Sequence, residues 1–274
     1  NFSARLRVAR AALFLAGELM SSSARAHRLK ATNTKGAWIA AGVILAWLLS
    51  GLMLWWQWSE LSWWAQVCAM PLMSFLYTGL FITAHDAMHG LISPGSARAN
   101  RRWGQLALAL YAGFSFEQLN REHHRHHARP ASEEDPDYHG RALGDDPPFW
   151  SWWARFMWTY RSWRPFAFFS ALAALNVIAR GEWSAYVMIW ALPSLLSTLQ
   201  LFYFGTYRPH RQADVLDREQ GERVRARSDD FPIWLSFITC YHFGYHEEHH
   251  RRPDVPWWAL PQARRAQKTM RGVL

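Results

Sequence analysis

Cysteine is nearly missing from this chain of 274 residues: Cys68 lies inside an apolar run and Cys240 beside a histidine-rich stretch, and there are no others. Two isolated thiols suggest neither a disulfide framework nor a thiolate metal site, so any metal is expected on nitrogen and oxygen ligands. Acidic residues are also short, 21 Asp and Glu against 30 Lys and Arg, for a formal charge of +9. The basic residues flank apolar spans and no nucleic-acid motif accompanies them, so nucleic-acid binding is set aside in favour of the positive-inside bias of membrane proteins. Internal repeats, low-complexity tracts and a cleavable signal peptide are not apparent, and a chain opening on Asn1 leaves room for a trimmed start.

What is abundant is apolar and aromatic: half of the residues are hydrophobic, with 18 Trp and 16 Phe. They gather into long runs separated by polar stretches, which predicts an all-α polytopic membrane protein with four transmembrane helices. The expected spans lie near 36–57, 62–84, 163–179 and 183–206, with Trp55, Trp56 and Trp58 as interfacial anchors of the first. Residues 1–35 are basic, either an interfacial helix or a tail. Segment 103–118 is apolar but short, and is expected to be re-entrant or interfacial. Segment 128–148, rich in Pro, Asp and Gly, reads as a loop, followed by a Trp-dense surface helix over 149–162. The remainder, 36–274, is read as one membrane domain. Arg98, Arg101 and Arg102 follow the second span, so its far end is expected on the cytoplasmic side of the inner membrane.

Chemistry is concentrated in three histidine clusters: His85 with His89, then His123, His126 and His127, then His246, His249 and His250. Spacings of three and four place such residues on one helical face. A single ion rarely takes more than about four protein ligands, so these eight histidines suffice for two. A pair of metals held by neutral imidazoles keeps a high positive charge, which suits binding and reducing dioxygen. The predicted centre lies at the cytoplasmic ends of the spans. His210, leaving the fourth span, is expected as a further ligand. His242 is placed on the helical face of His246, as a ligand or a hydrogen-bonding support. His124, a quarter-turn from His123, and Asp86, next to His85, are candidates for the same supporting role. Glu122, Glu247 and Glu248 either orient imidazoles or face solvent. His27 and His139 are expected at the surface.

The three clusters resemble the histidine boxes of the membrane fatty acid desaturase superfamily. Four longer strings most resemble the bacterial β-carotene ketolases within it: Thr83–Gly90, His123–His127, Phe202–His210, and Cys240–His250 with its Pro-Asp-Val-Pro-Trp-Trp sequel. The resemblance implies two iron ions, O2 as co-substrate and oxidation of the allylic carbon 4 of a β-ionone ring. β-Carotene would pass through echinenone to canthaxanthin, and zeaxanthin to astaxanthin. It also implies a carotenoid substrate, lipid surroundings, and a separate electron donor such as ferredoxin. Phe114, Phe116, Phe202, Tyr207, Phe243 and Tyr245 are candidates for an apolar substrate tunnel. Arg251 and Arg252 depart from the apolar residues that often follow the third box.

Rivals on the same scaffold are a ring 3-hydroxylase and an acyl-lipid desaturase or hydroxylase. A zinc protease is disfavoured because Asp86 stands where the HExxH motif needs Glu. A metal transporter or haem-type electron carrier would place its ligands within the spans.

Overall fold

The computed structural model describes residues 34–139, 147–179, 182–212 and 225–272. The basic segment with His27, at residues 1–33, lies outside the described residues, as does 213–224 of the charged stretch. Every regular element among the described residues is a helix.

Helix α1 (Lys35–Gln57) buries a stripe of Gly36, Ala40, Ile44, Trp47 and Gly51 at steps of three and four. Its other face leaves Leu45, Leu49, Leu52 and Met53 exposed, as a helix against lipid would. Two glycines let it approach closely: a Cβ on Gly51 would stand 2.4 Å from the Trp190 ring. Trp47 also meets Tyr77 edge-on at 5.4 Å. A tight turn at Trp58–Glu60 leads into α2 (Trp63–Met88), which Ser62 caps by accepting from the Ala65 N–H. This helix runs beyond the expected end of the second span, so His85 lies within it and His89 at its C-cap.

Helix α3 (Ala97–Ala112) ends at Gly113, whose left-handed φ of 73° turns the chain into α4 (Phe116–Ala128). The short apolar segment expected over 103–118 is therefore a helix, a turn and the start of a second helix. The fold at this corner depends on Gly104, where a Cβ would stand 2.0 Å from the Phe116 ring. Gly104→Ala is expected to cost about 1–3 kcal/mol by overpacking, read as a lower thermal midpoint in detergent.

Helices α5 (Phe149–Thr159) and α6 (Trp163–Ala179) meet at an 88° bend. The expected third span is thus a 17-residue helix, shorter than the ~20 residues of a full crossing. Three helices are long and apolar enough to span a membrane, or four if the bent pair counts as one. The last of the three is α7 (Trp183–His210), which contains π-helical turns at Tyr186–Ala191 and Tyr203–Tyr207. Such turns rotate the residues that follow and gather at functional sites; the second immediately precedes His210.

Helices α2 and α7 lie side by side and run parallel. Trp58 Nε1, just before α2, donates to Ser184 Oγ at the start of α7. Midway, Thr78 Oγ1 sits 2.9 Å from Ser197 Oγ and donates to Gln200 Oε1 at 2.8 Å. Their C-terminal ends carry His85 and His210. The chain closes with α8 (Ile233–Cys240), α9 (His246–Arg251) and α10 (Leu260–Met270).

Candidate dimetal centre

The third histidine cluster does not ride on one continuous helix. Tyr241 and His242 take left-handed backbone, φ 49° and 64°, and break α8 from α9. Such backbone costs ~1–2 kcal/mol per non-glycine residue, and here it redirects the chain so that α9 meets α4. The break removes His242 from the face of His246. His242 instead lies parallel to the Tyr245 ring at 5.7 Å and belongs to neither metal-binding group.

The nine other histidines of the centre form two groups. In one, His85, His89, His123, His127 and His249 offer ligand atoms within 4.8 Å of one another; in the other, His126, His210, His246 and His250 do the same. The contacts are between Nε2 atoms. In the first group, His85 meets His249 at 3.1 Å, His127 meets His249 at 2.9 Å, and His89 meets His123 at 2.8 Å. In the second, His126 meets His250 at 3.1 Å, and His246 meets both His210 and His250 at 3.0 Å. Two bonds of about 2.1 Å at a right angle place their nitrogens about 3.0 Å apart. The spacing therefore fits neighbouring ligands on a shared cation. Lone pairs facing each other at this distance repel, and a cation between them removes the conflict.

At His210 and His126 the Nδ1 side carries the proton, which leaves Nε2 free to bind a cation. His210 Nδ1–H donates to the Arg225 carbonyl at 2.9 Å, and His126 Nδ1–H donates to Asp135 at 2.9 Å. Asp86 Oδ1 lies 3.5 Å from His85 Nδ1, and Oδ2 accepts the Trp257 N–H at 3.2 Å. Asp86 thus stands on the far side of His85 from the converging nitrogens, where it cannot serve as the base of a zinc protease.

Burial, reinforced by neighbouring imidazoles, holds His123, His246, His249 and His250 well below the ordinary histidine value; burial pushes His89 down to about 4. Neutral imidazole is the form that binds metal. His126 behaves differently: burial lowers it, but Asp135 outweighs burial and raises it to about 9. A carboxylate on Nδ1 makes the opposite nitrogen more basic, and a metal must displace that proton to bind.

Asp135 is the residue that sequence reasoning missed, because 128–148 reads as a solvent loop. It is 4 % exposed and accepts from the Ala131 and Asp137 N–H groups at 2.7 and 2.9 Å, besides His126. Ala131 takes left-handed backbone, φ 51°, to present its N–H. The remaining acids go elsewhere. Glu122 pairs with Arg121 and Arg125, Glu247 binds Arg251, Gln267 and Arg271, and Glu248 binds Arg264. Glu247 and Glu248 thereby fasten α10 to the back of α9. His124 is exposed, with Nδ1 on the Asn120 carbonyl at 2.7 Å, outside both groups.

The family model described as fatty acid desaturase matches residues 61–169 and 154–271. A β-carotene ketolase of Paracoccus sp. (strain N81106 / MBIC 01143) is 43% identical over 195 residues, covering 70% of this chain and 76% of that protein. A β-carotene 4-ketolase of Protosiphon botryoides is 39% identical over 196 residues, 70% of this chain and 50% of that one. A zeaxanthin 4-ketolase of Chlamydomonas reinhardtii is 39% identical over 193 residues, 70% and 42%. This chain belongs to the fatty acid desaturase family. Within the family it is a homologue of the β-carotene ketolases, and its apolar helices make it an integral membrane protein.

The desaturase-family centre opens on an apolar cavity of about 270 Å³. His85, His123, His126 and His246 line it together with Phe81, Tyr111, Phe156, Met157 and Leu201. Of the tunnel candidates, only Phe114 and Phe243 reach it. Phe116 fills the α3–α4 corner over Gly104. Phe202 and Tyr207 pack against Phe149 and Trp152. Tyr245 donates its hydroxyl to the Phe231 carbonyl at 2.8 Å. Those candidates lie near the boxes in sequence. Much of the real wall comes from the α5–α6 elbow, which only tertiary packing brings to the site.

Proposed function

We propose that this protein is an O2-dependent di-iron oxygenase that converts carbon 4 of β-ionone rings to a ketone, taking β-carotene through echinenone to canthaxanthin. One observation carries the reading: nine imidazoles converge in two groups, four of them lining an apolar cavity, in a chain 39–43% identical to proteins named as ketolases. His85, His89, His123, His127 and His249 hold one ion; His126, His210, His246 and His250 hold the other. Bound there, two irons would supply the dioxygen reduction and hydrogen abstraction that side chains alone cannot perform.

The chain's own residues supply position and dryness. A cavity of about 270 Å³ lies just below the ~300–1,000 Å³ of pockets that enclose drug-sized ligands. It therefore takes one ring end, and the polyene continues outside it among lipid-facing side chains. Phe81, Phe114 and Phe243 exclude water and press the ring toward the histidines. The allylic C–H at carbon 4 is weaker than an alkane C–H, so a held ring reacts there first. Two hydroxylations at that carbon give a geminal diol, which loses water to leave the ketone.

Topology supports a fourth crossing. Parallel neighbours α2 and α7 must be joined through an odd number of crossings, and α6 is the apolar helix between them best placed to supply one, with α5 lying in the interface. Arg98, Arg101 and Arg102 beyond α2 favour the cytoplasmic side of the inner membrane for the histidines, where a separate donor such as ferredoxin would deliver electrons.

The test is isotopic. In short incubations of membranes with β-carotene and a reducing system, the ring ketone takes its oxygen from labelled O2. Ketone that instead carries label only from water overturns the oxygenase reading.

A further inference from the structure

Asp137 and Tyr160 form a polar part of the cavity wall that the chemistry at carbon 4 does not use, and Arg161, Ser162, Thr198 and Thr206 also line the cavity. Asp137 is a carboxylate with a side chain only 13% exposed. Three of its four polar groups are spoken for. Its N–H donates to Asp135 at 2.9 Å, its carbonyl accepts Trp152 Nε1–H at 2.8 Å, and Oδ1 accepts the Tyr160 hydroxyl. Oδ2 is different. Among the described residues it accepts no hydrogen bond: His126 Nδ1 stands 3.9 Å away, and that nitrogen already gives its proton to Asp135. A carboxylate oxygen in an apolar cavity without a donor is unfavourable, and a ligand hydroxyl would relieve it.

Resting on the ketolase reading, we propose that Asp137 Oδ2, with Tyr160 holding the carboxylate in place, is a hydroxyl-binding subsite that selects β-ionone rings already hydroxylated at carbon 3. Carbon 3 is bonded to carbon 4, so a hydroxyl there accompanies the reacting carbon to the metal end. Asp137 Oδ2 stands 3.9 Å from His126 Nδ1, on the other side of the imidazole from the nitrogen that joins the second group. An unsubstituted ring offers Oδ2 no donor, and a 3-hydroxylated ring does. The subsite also places the reaction in sequence: ring 3-hydroxylation precedes ketolation on the preferred route.

The experiment is equilibrium binding, read as quenching of tryptophan fluorescence when zeaxanthin or β-carotene is added to the full chain in lipid nanodiscs. A hydrogen bond to a charged acceptor predicts about 10- to 100-fold tighter binding of zeaxanthin than of β-carotene. Asp137→Ala brings the two affinities together, and Asp137→Asn, which keeps a polar atom in place, retains part of the preference. Equal affinities in the unaltered protein, or a preference that survives Asp137→Ala, overturns the subsite. Preferential binding without any 4-ketone product keeps the subsite and instead removes the ketolase reading.

Discussion

His249→Ala is expected to lower ketone formation at least about 100-fold and bound iron from two per chain toward one. The size follows from position. His249 Nε2 lies within 3.1 Å of His85 and 2.9 Å of His127, so it ties the first box to the second. Replacing even the partners that support metal ligands typically costs ~10- to 100-fold, and loss of a ligand belongs at or beyond the top of that range. The control is His242, four residues before His246. His242 is buried but outside both groups, so His242→Ala should leave iron content at its normal level and cost stability alone. Metal analysis of the two purified variants checks this, and equal iron loss in both would show that packing, not ligation, is being measured.

The second large effect is expected at Asp135, a residue that binds no substrate. Asp135→Asn should weaken metal binding at the second group ~10- to 100-fold. The carboxylate accepts from His126, Ala131 and Asp137 together, and an amide nitrogen at either oxygen position would face one of these donors. His126 then loses the partner that fixes its tautomer and raises its basicity. Iron retention during a chelator titration reads this directly, with Arg129→Ala as a control, since Arg129 pairs with Glu134 at the exposed rim of the same loop. Loss of both irons at equal rates, or retention equal to the unaltered protein, would contradict a role confined to His126.

The nine converging histidines were legible because their signal is local. A spacing of three or four residues on a helix fixes a shared face, and His123, His126 and His127 on α4 needed nothing more. His210 could be anticipated because it leaves a span at the level of the others. His242 misled for the same reason: its spacing suits a helix, and nothing in Tyr241-His-Phe-Gly announces two left-handed residues. Asp135 and Asp137 were hidden in a loop whose composition reads as solvated, although Asp135, nine residues beyond His126, is within reach of its Nδ1. The cavity was least legible. Phe156, Met157 and Tyr160 gain their place from an 88° bend between two helices, and no periodicity encodes that bend.

The central claim, a dimetal oxygenase acting at carbon 4, is most directly tested by expressing the chain in a bacterium that accumulates β-carotene and chromatographing its pigments. The account predicts echinenone and canthaxanthin, both absent when His249 is replaced by alanine. Zeaxanthin as the product would keep the metal centre and contradict the position of attack. Unchanged β-carotene, from protein shown to be folded and iron-loaded, would contradict the claim itself.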